Sequence, residues 1–284
     1  MNRNYILYNP LAGNGSGKQE AEVLKVIYEQ VEIYDITRIT NYRAFFSDFD
    51  EEDNIIICGG GGTLNRFVNE TKNLEMKSSI YFYSVGTGND FARDIGIEQD
   101  SKLTFRINEY LEKLPIVSIN DEKKYFINGV GFGIDGYCCE VGDKLKNSSD
   151  KPVNYTSIAI KGLLFHYKPT NATVTVDGKQ YLFKKVWIAP TMNGRYYGGG
   201  MMAAPKQKRI EKDKELSLVL MHGAGRLRTL CVFPSIFKGE HIKHEKTVKV
   251  IRGKDILVEF DRPTALQIDG ETVMNVKKYH AMVS

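Results

Sequence analysis

Apolar and polar positions come in blocks through the first part of the chain. YILYN (5–9) is a short apolar run of the kind that forms a buried strand, and KQEAEVLKVIYEQVE (18–32) places Leu24, Ile27, Tyr28 and Val31 on one helical face. YDITRIT (34–40), rich in β-branched side chains, predicts a second strand. NIIIC (54–58) is apolar on both faces, as a central parallel strand covered on each side would be. TLNRFVNE (63–70) then opens a helix with Leu64, Phe67 and Val68 inward, and SIYFYSVGTGNDFARDIG repeats the order strand, glycine loop, helix. This alternation predicts a parallel sheet with helices on both faces.

The pattern changes near Ser118. KKYFING, NATVTVDGKQY, KKVWIAPTMN, LSLVLMH, TVKVIR, DILVEF and TALQIDGE follow one another as short strand-like runs, with turn dipeptides such as Asp177-Gly178 between several of them. They predict an antiparallel sandwich or barrel. One helix, YTSIAIKGLLFHY (155–167), interrupts it and is expected mostly to pack the sandwich; a second is expected near GRLRTLCVFPSIF. The expected organisation is an α/β domain over 1–117 followed by an all-β domain over 118–284. A chain of 284 residues is long enough for two cores.

Composition narrows the class. Apolar residues make up 42% and charged residues 26%, the balance of a soluble globular protein. No run of eighteen apolar residues suggests a membrane span, and the chain enters a strand pattern at once, with no apolar signal segment. Cys58, Cys138, Cys139 and Cys231 have no metal or redox spacing, which fits a reducing cytoplasm. A net charge of +4 is too small to argue for nucleic acid.

The candidate chemistry lies in three glycine loops. NPLAGNGSG (9–17), GGGGT after Cys58 and GTGND after Val85 each follow a strand of the parallel sheet, at the edge where open α/β sheets bind ligands. Bare backbone there lets N–H groups approach phosphate oxygens, and the following helix adds its positive end. GNGSGK is not a P-loop: Ala12 stands where the first glycine of that pattern belongs, and Gln19 follows Lys18. His241 and His244 have metal-like spacing but are expected to be structural or solvated, and KQKRIEKDKE (206–215) to be a solvated loop. Lys238, Lys243, Lys246, Lys249, Arg252 and Lys254 face either an anionic membrane or simply water.

Taken together, NPLAG, GGGGT, GTGNDFAR, NGRYYGGGMMAAP, FKGEH and IDGE resemble the diacylglycerol kinase catalytic domain family, which includes bacterial soluble lipid kinases and, more distantly, sphingosine and NAD kinases. The resemblance implies a two-domain NAD-kinase/diacylglycerol-kinase-like fold, a parallel α/β nucleotide domain followed by a β-sandwich, with the active site in the cleft between them. It implies ATP and Mg2+ as cofactors. The nucleotide would lie against Asn9, Gly59, Gly60, Gly61, Gly62, Thr63, Gly86, Thr87, Gly88 and Asn89. Asp90 would help hold Mg2+, Glu271 would act as general base toward a lipid hydroxyl, and Asp269 would support its turn. Asp213 matches one ligand of a structural Mg2+ site on the sandwich. Diacylglycerol is the first candidate acceptor, met by a cytoplasmic protein peripheral to the inner membrane face. Family habit also suggests a homodimer.

Four family carboxylate positions lack a carboxylate here. Gly61 replaces the Asp of the Gly-Gly-Asp-Gly-Thr signature, Arg66 a Glu, Ser217 an Asp, and Ser118 an Asp, although Asp121 lies three residues away. Relatives also continue past the last strand with a return segment, whereas Ser284 closes this sequence, so the domain interface is expected to be smaller or completed by another subunit. The alternative reading is therefore a catalytically impaired nucleotide- or lipid-binding regulatory protein of the same fold.

Overall fold

The computed structural model describes residues 3–86, 89–97, 102–148 and 153–284. Thr87 and Gly88, both expected at the nucleotide, lie outside the described residues. The chain divides into two units, Met1–Lys113 and Leu114–Ser284.

The first unit runs β1 (Asn4–Tyr8), α1 (Gly17–Ile27), β2 (Val31–Asp35), α2 (Tyr42–Phe45), β3 (Asn54–Gly59), α3 (Gly61–Thr71), β4 (Ser79–Ser84), α4 (Asp90–Asp94), β5 (Phe105–Arg106) and α5 (Asn108–Leu111). Its sheet has the order β2-β1-β3-β4-β5, parallel except for β5. The all-apolar run Ile55, Ile56, Ile57 and Cys58 is wholly buried, as a strand covered on both faces must be.

Two expectations are corrected here. α1 stops at Ile27, and Val31 begins β2 instead of a further helical turn. Gly17, Ala21 and Leu24 form the buried face of α1, while Ile27 points to solvent. The small residues let the helix lie close to the sheet: a Cβ on Gly17 would sit 1.9 Å from the Asn9 carbonyl oxygen. The strand expected over 34–40 instead ends at Asp35. There the Asp35 carboxylate accepts from the backbone N–H and the hydroxyl of Thr37, at 2.9 and 2.6 Å, which turns the backbone into a 3₁₀ helix.

The second unit runs β6 (Ile116–Ile119), β7 (Glu122–Tyr125), β8 (Gly129–Gly133), α6 (Ile134–Ser148), α7 (Tyr155–Lys161), a π turn (Gly162–His166), β9 (Thr170–Val176), β10 (Lys179–Val186), β11 (Ile188–Met192), β12 (Leu216–Met221), α8 (Arg226–Val232), two 3₁₀ turns (Phe233–Lys238 and Glu240–Lys243), β13 (Val248–Gly253), β14 (Asp255–Ile268) and β15 (Glu271–Met282). The strands form one ten-stranded antiparallel sheet of order β13-β12-β11-β8-β14-β15-β6-β7, with β9 pairing β14 and β10. β14 makes the corner. Its first half pairs β9 from Ile256 to Phe260, its second half pairs β8 from Leu266 to Ile268, and its register against β15 shifts in between, around Pro263. DILVEF and TALQI, expected as separate strands, are thus one bent strand.

Folding the sheet on itself encloses a core of Phe126, Phe132, Val174, Leu218, Val258, Phe260, Leu266 and Tyr279. β12 is apolar at nearly every position because it is covered twice: Leu216, Leu218 and Leu220 face that core, while Val219 and Met221 meet Trp187, Leu163, Phe233 and Ile236 under the helices. At the β9–β10 hairpin Asp177 and Gly178 both take positive φ, 47° and 79°, as the Asp-Gly pair predicts.

α6 is not anticipated by the strand-like reading of this region. Its signal was present: Ile134, Cys138 and Val141 recur at helical spacing. Gly136 shows how closely α6 lies on β14, since a Cβ there would sit 2.2 Å from the Ala265 carbonyl oxygen. Gly136→Ala is expected to lower the unfolding free energy by roughly 3 kcal/mol, because backbone and not a flexible side chain must yield. A urea midpoint within error of wild type would refute that packing.

Candidate active site

In the first unit the three glycine loops meet at the C-terminal edge of the sheet. Asn9 ties two of them together: its backbone N–H donates to the Cys58 carbonyl at 3.0 Å, and its amide donates to the Thr63 hydroxyl at 2.8 Å. Its side-chain oxygen accepts from the Leu11 N–H at 2.9 Å, which shapes the first loop. The Val85 N–H donates to the Gly59 carbonyl at 2.9 Å, joining the second loop to the third. Gly86 and Gly13 approach so closely that a Cβ on Gly86 would lie 3.6 Å from the Gly13 Cα.

α3 starts from this junction, with Gly60 as its N-cap and no side-chain cap. The first-turn N–H groups of Gly61, Gly62 and Thr63 therefore have no side-chain acceptor among the described residues, and an anion can take that place. Asn89 caps α4 through its side-chain oxygen, which accepts from the Ala92 N–H at 3.2 Å. The other end of its amide is buried without a hydrogen-bond partner among the described residues. Asp90 follows, buried at the first position of α4.

In the second unit the acidic turn is built from backbone. Asp269 takes φ 49° and Gly270 φ 92°, the conformation of a tight hairpin between β14 and β15. The Asp269 carboxylate accepts the backbone N–H groups of Ile127, Asn128 and Gly129 at 2.6, 2.7 and 3.0 Å. It anchors the turn and leaves Glu271 at the exposed start of β15. Arg209 braces the same segment from behind. Its guanidinium donates to the Ile127 carbonyl and, at 2.8 Å, to the Asn128 side chain, while the Asn193 amide donates to the Ile127 carbonyl at 2.8 Å.

Arg209 and Gln207 are buried, so the run 206–215 is not the uniformly solvated loop expected from its charge. Within an alternation of lysines, a buried guanidinium leaves no signal beyond its residue type. Arg252 and Lys254 of the basic run 238–254 are held by acids: Arg252 by Glu211 and Glu215 at 3.1 and 3.3 Å, Lys254 by Asp213. His241 is structural as expected. It is wholly buried, its Nε2 lies 2.9 Å from the Ala203 carbonyl, and burial pushes its pKa down to about 4.

One acid in this region was not anticipated. Asp135 lies in the first turn of α6 and is buried, with no hydrogen bond of ordinary geometry at either oxygen among the described residues. Burial pushes its pKa up to about 6 against the weaker pull of the Gly136 and Asp135 N–H groups and the Gln267 amide. The Gln267 side-chain oxygen accepts the Gly270 N–H at 3.0 Å, within the turn that precedes Glu271. The Tyr167 hydroxyl and Thr264 Oγ1 are likewise buried without partners among the described residues, and both residues line a cavity of about 310 Å3. Buried polar atoms in such a group suit a polar ligand. The Asp at the end of the GFGID run could have been singled out only by recognising α6.

The acids fit a protein-held cation poorly. Among the described residues no three His, Cys, Asp or Glu side chains stand together as metal ligands. Asp213, expected at a structural Mg2+ site, is exposed and has a lysine ammonium at its carboxylate. Ser217, where the family resemblance implies an acid, is buried and donates to the Gln207 side chain at 2.6 Å. Asp90 is a buried carboxylate in the first turn of α4, next to Asn89; one carboxylate suffices for a cation that arrives on phosphate oxygens and keeps its waters.

Two protein-family models match the chain in succession: the diacylglycerol kinase catalytic domain over residues 3–115, and the YegS C-terminal NAD kinase beta sandwich-like domain over residues 128–283. The chain is 27% identical over 283 residues to a diacylglycerol kinase of Bacillus subtilis (strain 168), an alignment spanning 95% of this chain and 90% of that protein. A diacylglycerol kinase of Mycobacterium tuberculosis (strain ATCC 25618 / H37Rv) is 23% identical, over 89% of this chain and 84% of its own. The crystal structure of a diacylglycerol kinase from Bacillus anthracis str. Sterne superposes with a TM-score of 0.66 at 19% identity, covering 99% of this chain and 93% of that one, which shows a shared fold.

Proposed function

This chain belongs to the lipid kinase family that joins a diacylglycerol kinase catalytic domain to a YegS C-terminal NAD kinase beta sandwich-like domain, and we propose that it moves the γ-phosphoryl group of ATP to a lipid hydroxyl, diacylglycerol being the leading acceptor. The observation that carries this reading is the convergence of the Asn9, Gly60 and Gly86 loops at the start of an uncapped α3. The N–H groups of Gly61, Gly62 and Thr63 would hold the nucleotide's phosphates, with Gly59, Gly60, Thr87, Gly88 and Asn89 around them. Mg2+ bound to those phosphates would neutralise charge as it develops, and Asp90, buried in the first turn of α4, would reach it through water. Glu271 would take the proton of the acceptor hydroxyl while its oxygen bonds to the γ-phosphorus and the bond to ADP breaks. Asp269 would act at one remove, by fixing the turn.

The test is transfer of labelled γ-phosphate from ATP to diacylglycerol in mixed micelles with Mg2+. Labelled phosphatidic acid is the expected product; its absence while ATP still raises the thermal midpoint overturns the kinase reading. A specific observation favours that second outcome, a regulatory nucleotide binder. By the family resemblance, Gly61, Arg66, Ser118 and Ser217 stand at four positions where an acid is expected, and Arg66 adds a cation on the exposed face of α3. A Cβ on Gly61 would meet nothing within 4 Å, so Gly61→Asp fits without strain. If the wild type is silent and Gly61→Asp transfers phosphate, the chain has kept the binding geometry and lost the chemistry.

A further inference from the structure

One peptide group in the second unit lies between two opposite charges. The Arg209 guanidinium donates to the Ile127 carbonyl, and the N–H of that same peptide group, on Asn128, donates to the Asp269 carboxylate at 2.7 Å. The peptide thus points its oxygen at a cation and its N–H at an anion. In that orientation each charge polarises it and strengthens the hydrogen bond at the other end. The neighbouring backbone is equally committed. The Asn193 amide donates to the Ile127 carbonyl at 2.8 Å, and the Asn193 and Gly194 N–H groups donate to the Asn128 carbonyl at 2.8 and 3.1 Å. The Asp269 N–H returns to the Gly129 carbonyl at 3.0 Å. Arg209 is only 8% exposed, a depth at which a charge must be answered, and the Asp269 carboxylate answers it through the peptide.

The loop that carries Arg209 is stitched in place. The Gln207 amide donates to the Glu215 carbonyl at 2.8 Å, and its side-chain oxygen accepts the Ser217 hydroxyl at 2.6 Å, which closes the loop across its base. The three acids between them, Glu211, Asp213 and Glu215, each hold a basic side chain from the far end of the chain. Arg252 takes Glu211 and Glu215 at 3.1 and 3.3 Å, and Lys254 takes Asp213. The resemblance implies a structural Mg2+ here, with Asp213 as one ligand and an acid where Ser217 stands. The residues present do not fit that ion. Ser217 offers a neutral hydroxyl engaged with Gln207, and Asp213 faces an ammonium. Positive charge at this place comes from side chains.

We propose that Arg209 is a positioning residue for Glu271, acting through the 127–128 peptide and Asp269, and that Arg209, Arg252 and Lys254 brace this part of the second unit in place of a divalent cation. The positioning role rests on the lipid-kinase reading; the brace does not, and it is measured without turnover. Hydrogen exchange of the Ile127, Asn128 and Gly129 N–H groups is followed in full-length, nucleotide-free protein, with MgCl2 and with EDTA at equal ionic strength. Wild-type protection and thermal midpoint should be the same in both, and a loss of either in EDTA would overturn the proposal. Arg209→Met should speed exchange of these three amides roughly tenfold or more, with or without Mg2+, while the amides of β9 change far less. Arg209→Lys keeps the charge but cannot span both acceptors, so it should fall between the two, and it carries the comparison if Arg209→Met does not fold. Lys206→Met removes an exposed cation of the same loop and should change nothing. In the phosphate-transfer assay, well below the thermal midpoint, Arg209→Met should lower kcat roughly tenfold or more and leave the KM for ATP at the wild-type value. Wild-type exchange in Arg209→Met, or equal acceleration throughout the second unit, would overturn the brace. Faster exchange at 127–129 with no phosphate transfer by the wild type would reject the kinase and keep the brace. Transfer by Arg209→Met at the wild-type rate would keep the kinase and reject the positioning role.

Discussion

Glu271→Gln is expected to lower the rate of lipid phosphorylation between about a hundredfold and ten-thousandfold, the range in which a positioned general base contributes. The amide cannot take the hydroxyl proton, yet it keeps the shape of the side chain at the start of β15. Asp269 still anchors the turn through three backbone N–H groups, so the fold should not move. The loss should therefore appear in kcat, with the KM for ATP unchanged, because the nucleotide is assigned to residues of the first unit. Asp269→Asn is the informative companion. It replaces an acceptor of three N–H groups by a side chain with only one acceptor oxygen, so it should reduce stability as well as rate. A Glu271→Gln protein that phosphorylates diacylglycerol at the wild-type rate would remove Glu271 from the mechanism.

The second large effect concerns stability against pH, where two buried groups oppose each other. The Asp135 carboxyl is pushed up to about 6 in the folded chain from an ordinary value of 3.8. Folding thus favours its protonated form. Its contribution is neutral below about pH 4 and becomes increasingly unfavourable as the pH rises toward 6, reaching about 3 kcal/mol. His241 is pushed down to about 4 from 6.5, so folding favours its neutral form. Its contribution is complete above about pH 6.5 and is lost as the pH falls toward 4, again by about 3 kcal/mol. Between pH 4 and 6 the two slopes nearly cancel.

Removing one exposes the other. Asp135→Asn should be more stable than wild type at pH 7.5 and should lose that advantage as the pH falls to 4. His241→Gln, whose amide can still donate to the Ala203 carbonyl, should show the reverse dependence relative to wild type. Urea unfolding of the three proteins at pH 4, 6 and 7.5 measures these differences, and groups common to all three drop out. Parallel pH profiles would mean that neither group titrates as its burial dictates.

The elements that were legible were those whose local pattern coincides with their tertiary setting. β3 is apolar throughout because both of its faces are covered, and α3 presents Leu64, Phe67 and Val68 to the core as its spacing predicts. The glycine loops were legible as neighbours at one sheet edge because each follows a strand of the parallel sheet. Misreadings arose where a tertiary contact overrode the local pattern. The inward face of α1 is made by Gly17 and Ala21, residues that hydrophobic periodicity ignores, while apolar Ile27 stays in water. β2 ends at Asp35 because a side chain offers the backbone N–H of Thr37 a better partner than the next strand residue would. α6 was hidden by the strand-rich sequence around it, and Asp135 was hidden with it.

The route of β15 has a further consequence. It lies between β14 and β6, with Ile116 to Ser118 pairing His280 to Met282, so strands more than 150 residues apart are neighbours. Every parallel strand of the first unit, by contrast, has been made by residue 84. On a translating ribosome the first unit can take shape early, whereas β6 and β7 must wait for strands that emerge last. Through that interval Val117 and the other side chains destined for the sandwich core stay uncovered, and nascent chains held at this stage are the ones most in need of a chaperone.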